Sequence, residues 1–527
     1  MASANVIIVG SGAAGVAAAY ALRGRGVLLL DVGARPPASA LKNNFYELRR
    51  DPGPVDLFGE LIGNSFESLH NIFHPYLSPK LKAPGMKFVL EGAERLAPLE
   101  SRSFEAAISF AAGGLANAWG AGLYRATDKD LKGFPIGARD LDPYYDVLTE
   151  KIGISGDDDD LGRYFGAARG LLPAMKIDAN GAALLGRYDK RRRALNRAGL
   201  YIGRPRLAVL TRAHDGRPAY GYEGLEFFRG DNPAIYTPAL TLKEMIARGE
   251  IAYAPGLLVE RYNESGDEVR VLARESAGGA RRDFTARRLI LAAGALNTAK
   301  IALNSNDDCD TRLPLLDNAV SYIPLIDPRR IGAAFEKEFF AAATLNAVYD
   351  GPLWPEPVQM TLYGAAGTLR SDFLFDFPLA ARDALAAAKY LTPALVIAQL
   401  FYPDAPAATN YLRLAPSGKL ELAYEPKRRG ALEARLVKLF RRLGCFGLAR
   451  FCKHLAPGSS FHYAGGLPMK SAPRTGYETD RSGRLAGARA VYIADAANFP
   501  ALPSKNHSFT MMANAMRIAA EVGRTLP

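Results

Sequence analysis

Val6-Ile7-Ile8-Val9-Gly10-Ser11-Gly12-Ala13-Ala14-Gly15 decides how this chain begins to fold. Four consecutive β-forming apolar residues read as a strand buried on both faces. Three glycines follow at the spacing of a strand-to-helix phosphate loop. Gly10 permits the tight turn out of the strand, Gly12 lets the backbone approach a pyrophosphate, and Gly15 lets the next helix pack closely on the sheet. That helix, entered through Ala13 and Ala14, points its unpaired N–H groups at the phosphates. Val16 to Leu22 is alanine-rich and suits the helix. Val27-Leu28-Leu29-Leu30 is a second buried strand, and it ends at Asp31-Val32. A carboxylate there holds ribose hydroxyls and disfavours a 2′-phosphate. The unit is a βαβ dinucleotide site, and by itself it does not separate FAD from NAD.

Working outward, residues 35–110 are irregular, and Gly113–Gly120 is a small-residue loop containing Gly114, Asn117 and Trp119. Residues 140–205 read as helical, with an acidic patch at Asp157–Asp160. Thr237 is an expected N-cap, with Pro238 at the first helical position. Leu257–Tyr262 and Glu268–Arg274 read as paired strands, and Leu289–Gly294 as a buried strand followed by a helix. From about residue 311 the segments alternate (Gln359–Tyr363, Ala394–Tyr402, Tyr411–Leu414, Leu420–Tyr424), as expected of an antiparallel sheet. Leu432, Leu436, Leu439, Phe440 and Leu443 recur at helical spacing, with Arg435, Lys438, Arg441 and Arg442 opposite. This is a helix packed on that sheet in preference to a membrane-surface helix. Ala490–Asp495 and a helix from Phe509 to Val522 return to the α/β texture. The fold class is therefore α/β (α+β overall), with a Rossmann-type domain discontinuous in sequence and an antiparallel-sheet domain covered by helices. The expected division is 1–160, 205–310 and 456–527 for the nucleotide domain, and 161–204 and 311–455 for the substrate-binding cap.

Composition excludes several classes. The 527 residues carry a net charge of +12 with the charges scattered. The run Lys190–Arg193 reads as a solvated helix face, and no nucleic-acid motif accompanies it. The three cysteines, Cys309, Cys445 and Cys452, include no CxxC pair, which argues against a disulfide framework, a structural zinc site or an iron–sulfur cluster. No metal is expected, and a cytoplasmic setting fits. The most apolar stretch, Tyr390–Pro403, is interrupted by Pro393 and falls short of the roughly 20 residues of a spanning helix. No transmembrane segment is expected, although the basic balance leaves a peripheral contact with an anionic surface open. The N-terminus runs straight into a strand and does not read as a secretory signal.

Three distant blocks carry a more specific resemblance. His462-Tyr463-Ala464-Gly465-Gly466, Val491–Pro500 with Asp495-Ala496, and Asn506-His507-Ser508-Phe509-Thr510 resemble the C-terminal signature of the glucose–methanol–choline (GMC) oxidoreductases. Ala293-Gly294-Ala295-Leu296-Asn297-Thr298 is similar to the family's internal signature, and Gly113–Trp119 to its flavin loop. The resemblance implies non-covalent FAD, since no histidine lies in Gly113–Trp119, where some members attach it. Gly10, Gly12, Gly15 and Asp31 would hold the ADP half, with Val259 at the adenine. Asn117 and its neighbours would line the flavin, Asp495 would lie along the ribityl or pyrophosphate region, and Ser508 and Phe509 would open the helix facing the flavin. His462 takes the place of the family's catalytic histidine. Its partner falls at Asn506 or His507, and a gapless match favours Asn506. The other histidines (His70, His74, His214, His454) read as packed or surface residues.

The implied chemistry is removal of a hydride and a proton from a small hydroxylated substrate, with oxygen or another redox partner as electron acceptor. A sugar or a lipophilic alcohol would suit aromatics such as Phe373, Phe375, Phe377, Phe401 and Tyr402. The family also contains non-redox lyases and a decarboxylase, which is the alternative. An NAD-dependent dehydrogenase is disfavoured by the C-terminal signature.

Overall fold

In the computed structural model, which describes residues 2–42, 44–69, 78–101, 103–334, 336–364, 379–427 and 429–526, the first motif folds as β1 (Ala2–Val9), α1 (Ala13–Ala21) and β2 (Val27–Leu30). β1 lies between β2 and the strand Arg281–Leu291, parallel to both. Val6, Ile7, Ile8 and Val9 are all buried, as a strand covered on both faces requires. Gly10 turns the chain at φ +95°, a left-handed conformation open to glycine at no steric cost. A Cβ on Gly15 would fall inside van der Waals contact of the Gly10 carbonyl, so α1 sits against the sheet only because Gly15 has no side chain.

The sheet runs in the order Ala252–Ala254, β2, β1, Arg281–Leu291, Glu268–Glu275, Leu257–Ser265. Arg281–Leu291 is shared between partners. Its first half pairs antiparallel with Glu268–Glu275 and its last residues pair parallel with Val491–Ile493. The last strand of the chain thus joins the first sheet, and the helix Ser508–Arg524 packs on α1. The Rossmann-type unit is discontinuous in sequence, as the α/β, sheet, α/β texture implied.

A second, six-stranded antiparallel sheet runs Lys453–His454, Val320–Ile326, Leu395–Phe401, Val358–Gly364, Leu345–Tyr349, Leu200–Gly203. Its period-two alternation sorts the two faces. Val396, Ala398 and Leu400 point to the helices Ala179–Arg197 and Ala431–Arg442 and form one core with Leu184, Tyr188, Leu436 and Phe440. Gln399 and Phe401 point the other way, into a cavity. The apolar face of Ala431–Arg442 is covered by the sheet, in line with the packed-helix expectation. A four-stranded sheet (Leu99–Ser101, Leu420–Ala423, Tyr411–Leu414, Leu313–Pro314) lies beside these two.

Two local expectations need correction. Thr237 does occupy the position before the helix Pro238–Ala247, but its side chain makes no capping bond. Tyr402 is buried in the helix-side core rather than on a substrate wall, because it follows Phe401 and the strand alternates. Phe373, Phe375, Phe377, His70 and His74 lie outside the described residues.

The packing carries a stability prediction. Leu436→Ala, at a fully buried site, is expected to cost about 2–5 kcal/mol of stability. Lys438→Ala, on the exposed face of the same helix, is expected to stay within about 0.5 kcal/mol. Denaturant unfolding followed by fluorescence of Trp354, which packs against this core, checks both.

Candidate active site

One cavity of about 1010 Å³ runs from the glycine loop to the face of the second sheet. Ligand pockets commonly span about 300–1,000 Å³, so there is room here for a dinucleotide with a small substrate beside it. At one end it is lined by Gly10, Gly12, Ala13, Ala14, Asp31, Val32 and Val259. Ala293, Asp495, Ala496, Gly114 and Trp119 follow, and His462, Asn506, His507 and Ser508 line the other end. Motifs spread over nearly 500 residues of sequence thus open onto one space.

Three of the expected residues do not line it. Gly15 packs behind the loop. Asn117 turns inward and donates to the carbonyls of Ala112 (3.0 Å) and Gly114 (2.8 Å), holding the loop's shape while Trp119 and Gly120 face the cavity. Phe509 is buried one layer back, 4.7 Å from the ring of Tyr145. Histidines 214 and 454 lie elsewhere, the first beside the Glu150 carbonyl and the second near Glu433 on an edge strand.

The residues present fit an adenine dinucleotide. A Cβ on Gly12 would meet nothing within 4 Å, so its backbone borders open cavity, where a pyrophosphate needs close approach. Asp31 is buried, accepts from Ser11 Oγ and from Tyr253 OH (3.2 Å), and is pushed up to about 6 chiefly by desolvation. Asp495 accepts from Thr298 Oγ1 (2.5 Å), Gly294 N (2.8 Å) and Ala497 N (2.9 Å), which locks the C-terminal strand to the start of the helix Ala295–Ser305. Burial pushes it up to about 6 as well.

The opposite end holds the titratable groups. His462 is half-buried, its ring stacked on Phe401 at 5.0 Å and met edge-on by His507 at 5.2 Å. Its Nδ1 lies 3.0 Å from Asn318 Oδ1, and its backbone N donates to Ser460 Oγ (2.8 Å). Desolvation, with His507 beside it, holds the His462 pKa well below the ordinary imidazole value. Burial lowers His507 to about 4. Both rings are therefore neutral at pH 7. Asn506 and His507 line the cavity with His462, and Asn506 Oδ1 and His507 Nδ1 are themselves buried without a hydrogen-bond partner.

The second sheet supplies the facing wall. Tyr322, Gln399 and Thr361 occupy one register layer across three strands, and Phe340, Tyr363 and Phe401 surround them. Lys80 is also buried on this lining, where desolvation lowers it to about 8 against the opposing pull of Glu226. Sequence reasoning missed Asn318, Gln399, Thr361 and Lys80. They belong to no motif, and only the folded sheet and loops bring them to the site. Among the described residues no His, Cys, Asp and Glu cluster could hold a metal ion, and no helix is long and apolar enough to cross a membrane.

Comparisons with known proteins bear on this arrangement. Residues 423–515 match the family profile described as GMC oxidoreductase. A comparison with curated proteins found no match. Among solved structures, that of pyridoxine 4-oxidase from Mesorbium loti shares the fold with a TM-score of 0.60 at 15% identity, over 99% of this chain and 100% of that one. The matched profile includes His462 and Asn506-His507, and the shared fold extends from end to end. The resemblance read from the motifs is matched over residues 423–515, where the chain is similar to the GMC oxidoreductases.

Proposed function

We propose that this protein is an FAD-dependent oxidoreductase that oxidises a hydroxyl group, with His462 as the general base. The observation that carries the reading is a neutral, half-buried His462 with His507 edge-on to its ring and Asn506 next to that, all lining the cavity that begins at Gly10–Ala14. When bound, FAD supplies the acceptor for a hydride leaving the carbinol carbon. The chain's own residues do the rest. The free ring nitrogen of His462 takes the hydroxyl proton, because a neutral imidazole is a competent base. The Asn506 Nδ2 amide and the ring N–H of His507 would donate to the substrate oxygen as negative charge develops on it. The substrate lies between the cofactor and the sheet face carrying Tyr322, Gln399, Thr361 and Phe401.

We further propose that FAD is held without a covalent bond and that the chain divides into a cofactor part (1–160, 205–310 and 456–527) and a substrate part (161–204 and 311–455). Sheet membership supports the division, since Leu200–Gly203 and Val320–Ile326 lie in the second sheet and Val491–Ile493 in the first. The similar structure's substrate, pyridoxine, is an aromatic primary alcohol, and the aromatic lining here would accommodate such a ring. The reading extends to a small hydroxylated substrate in a cytoplasmic setting, with oxygen or another redox partner as electron acceptor. It is tested by anaerobic bleaching of the flavin band with a range of alcohols including pyridoxine, benzyl alcohol, sugars and sterols.

A pH prediction follows from the direction of the His462 shift. Proton abstraction needs the neutral ring, and burial keeps the ring neutral down to below the ordinary value of 6.5. The rate of flavin reduction is therefore expected to be flat from pH 6.5 to 8 and to fall only on the acid side of that range. A stopped-flow pH profile with its midpoint above 7 would contradict this.

A further inference from the structure

Asn318 lies between the short strand Leu316–Asp317 and the strand Val320–Ile326, completely buried and 144 residues from His462 in sequence. Its Nδ2 donates to the carbonyls of Tyr402 (2.8 Å) and Pro503 (3.0 Å). These two bonds use both amide protons. Inverting the amide would set its oxygen against two carbonyl oxygens with no proton between them, so the orientation is fixed by its surroundings. Asn318 Oδ1 then faces His462 Nδ1 at 3.0 Å, and an amide oxygen can only accept. Nδ1 must carry the proton. In a neutral imidazole the other nitrogen, Nε2, is then left with the lone pair.

The rest of the ring's environment is consistent with a fixed pose. Phe401 covers one face at an interplanar angle of 25°, and His507 meets the ring at 82°. The backbone of His462 is tied to Ser460 Oγ, which itself donates to the buried carboxylate of Asp317 (2.5 Å). Phe401 and His507 hold the ring in place, but neither chooses which nitrogen carries the proton. Only Asn318 does.

We propose that Asn318 is the positioning residue that holds His462 as its Nδ1–H tautomer, so that Nε2 is the basic atom offered to the substrate. The catalytic consequence rests on the role given to His462 above, whereas the tautomer does not. Without the Asn318 oxygen the ring can place its proton on Nε2, and that form cannot accept a proton from an alcohol.

The test is a ¹⁵N solid-state spectrum of protein labelled only at histidine, recorded at pH 8 with bound FAD. His462→Gln identifies the His462 signals. The wild type is expected to show His462 with a protonated Nδ1 and a bare Nε2. Asn318→Ala is expected to show a mixed population with Nε2–H present. Asn318→Asp would set its second carboxyl oxygen against the Tyr402 and Pro503 carbonyls, so it is expected to enter as the neutral acid, donating there, still accepting from His462 Nδ1–H and keeping the wild-type tautomer. A wild-type spectrum with Nε2–H, or an Asn318→Ala spectrum identical to wild type, overturns the proposal. If Asn318→Ala does not fold, the wild-type tautomer and the Asn318→Asp spectrum still decide it. In a parallel assay with benzyl alcohol, Asn318→Ala is expected to lose at least about tenfold in flavin reduction rate at unchanged FAD content. If benzyl alcohol fails to reduce the wild type as well, the failure belongs to the oxidation reading, and the spectrum still stands or falls on its own.

Discussion

His462→Ala is expected to leave FAD bound and to slow flavin reduction by about 10²–10⁴-fold, the contribution of one well-placed acid–base group. Retention is expected because the residues that would hold the ADP half, around Gly12 and Asp31, lie at the other end of the cavity. The loss is expected because no other described base stands ready. His507 is the nearest imidazole, edge-on to His462, and the account gives it the substrate oxygen rather than the proton. Removing His462 also uncovers one face of Phe401, so a cavity effect must be separated from a chemical one. His462→Gln fills most of that space without supplying a base. It should be nearly as slow as His462→Ala. Anaerobic stopped-flow absorbance measures both variants. A His462→Gln rate within tenfold of wild type would remove the residue from the role of base.

Gly15→Ala is expected to abolish the cofactor site by a different route. The added methyl collides with the carbonyl of Gly10, and both parties are backbone, so neither can turn aside. α1 must move off β1. Overpacking of this kind costs about 1–3 kcal/mol when side chains can adjust, and a backbone collision stands at or above the top of that range. The variant should purify colourless and unfold at lower temperature. Gly12→Ala is the informative contrast. Its methyl meets nothing within 4 Å, so the cofactor-free protein should melt like wild type while its affinity for FAD falls. Thermal melting of the apo forms together with FAD titration separates the two. Equal FAD affinity in Gly12→Ala and wild type would contradict the placement of a pyrophosphate against Gly12.

How much of this was legible in the sequence depended on whether the information was local. The glycine loop was legible because each glycine answers a steric need within its own turn. The strand alternation from residue 311 onward was legible for the same kind of reason, since Leu400 and Phe401 go to opposite faces wherever the sheet lies. The mistakes share a cause. Aromatic composition suggests the substrate wall for Tyr402, though its parity puts it with Leu400's neighbours in the helix-side core. The motif resemblance puts Asn117 on the cofactor, but a small polar side chain in a tight loop finds the loop's own carbonyls first. Asn318 could not have been singled out at all. Its partners, Tyr402, Pro503 and His462, come from three distant segments, and one asparagine in a turn carries no signal until those segments meet.

The measurement that tests the central claim most directly is an anaerobic absorbance scan of the purified protein, followed by addition of alcohols of each class. The account predicts a yellow protein whose visible flavin band bleaches with one class of alcohol and does so far more slowly in His462→Gln. A protein that neither carries nor takes up FAD would contradict the cofactor assignment, and a yellow protein that no alcohol bleaches would contradict the oxidation of a hydroxyl group.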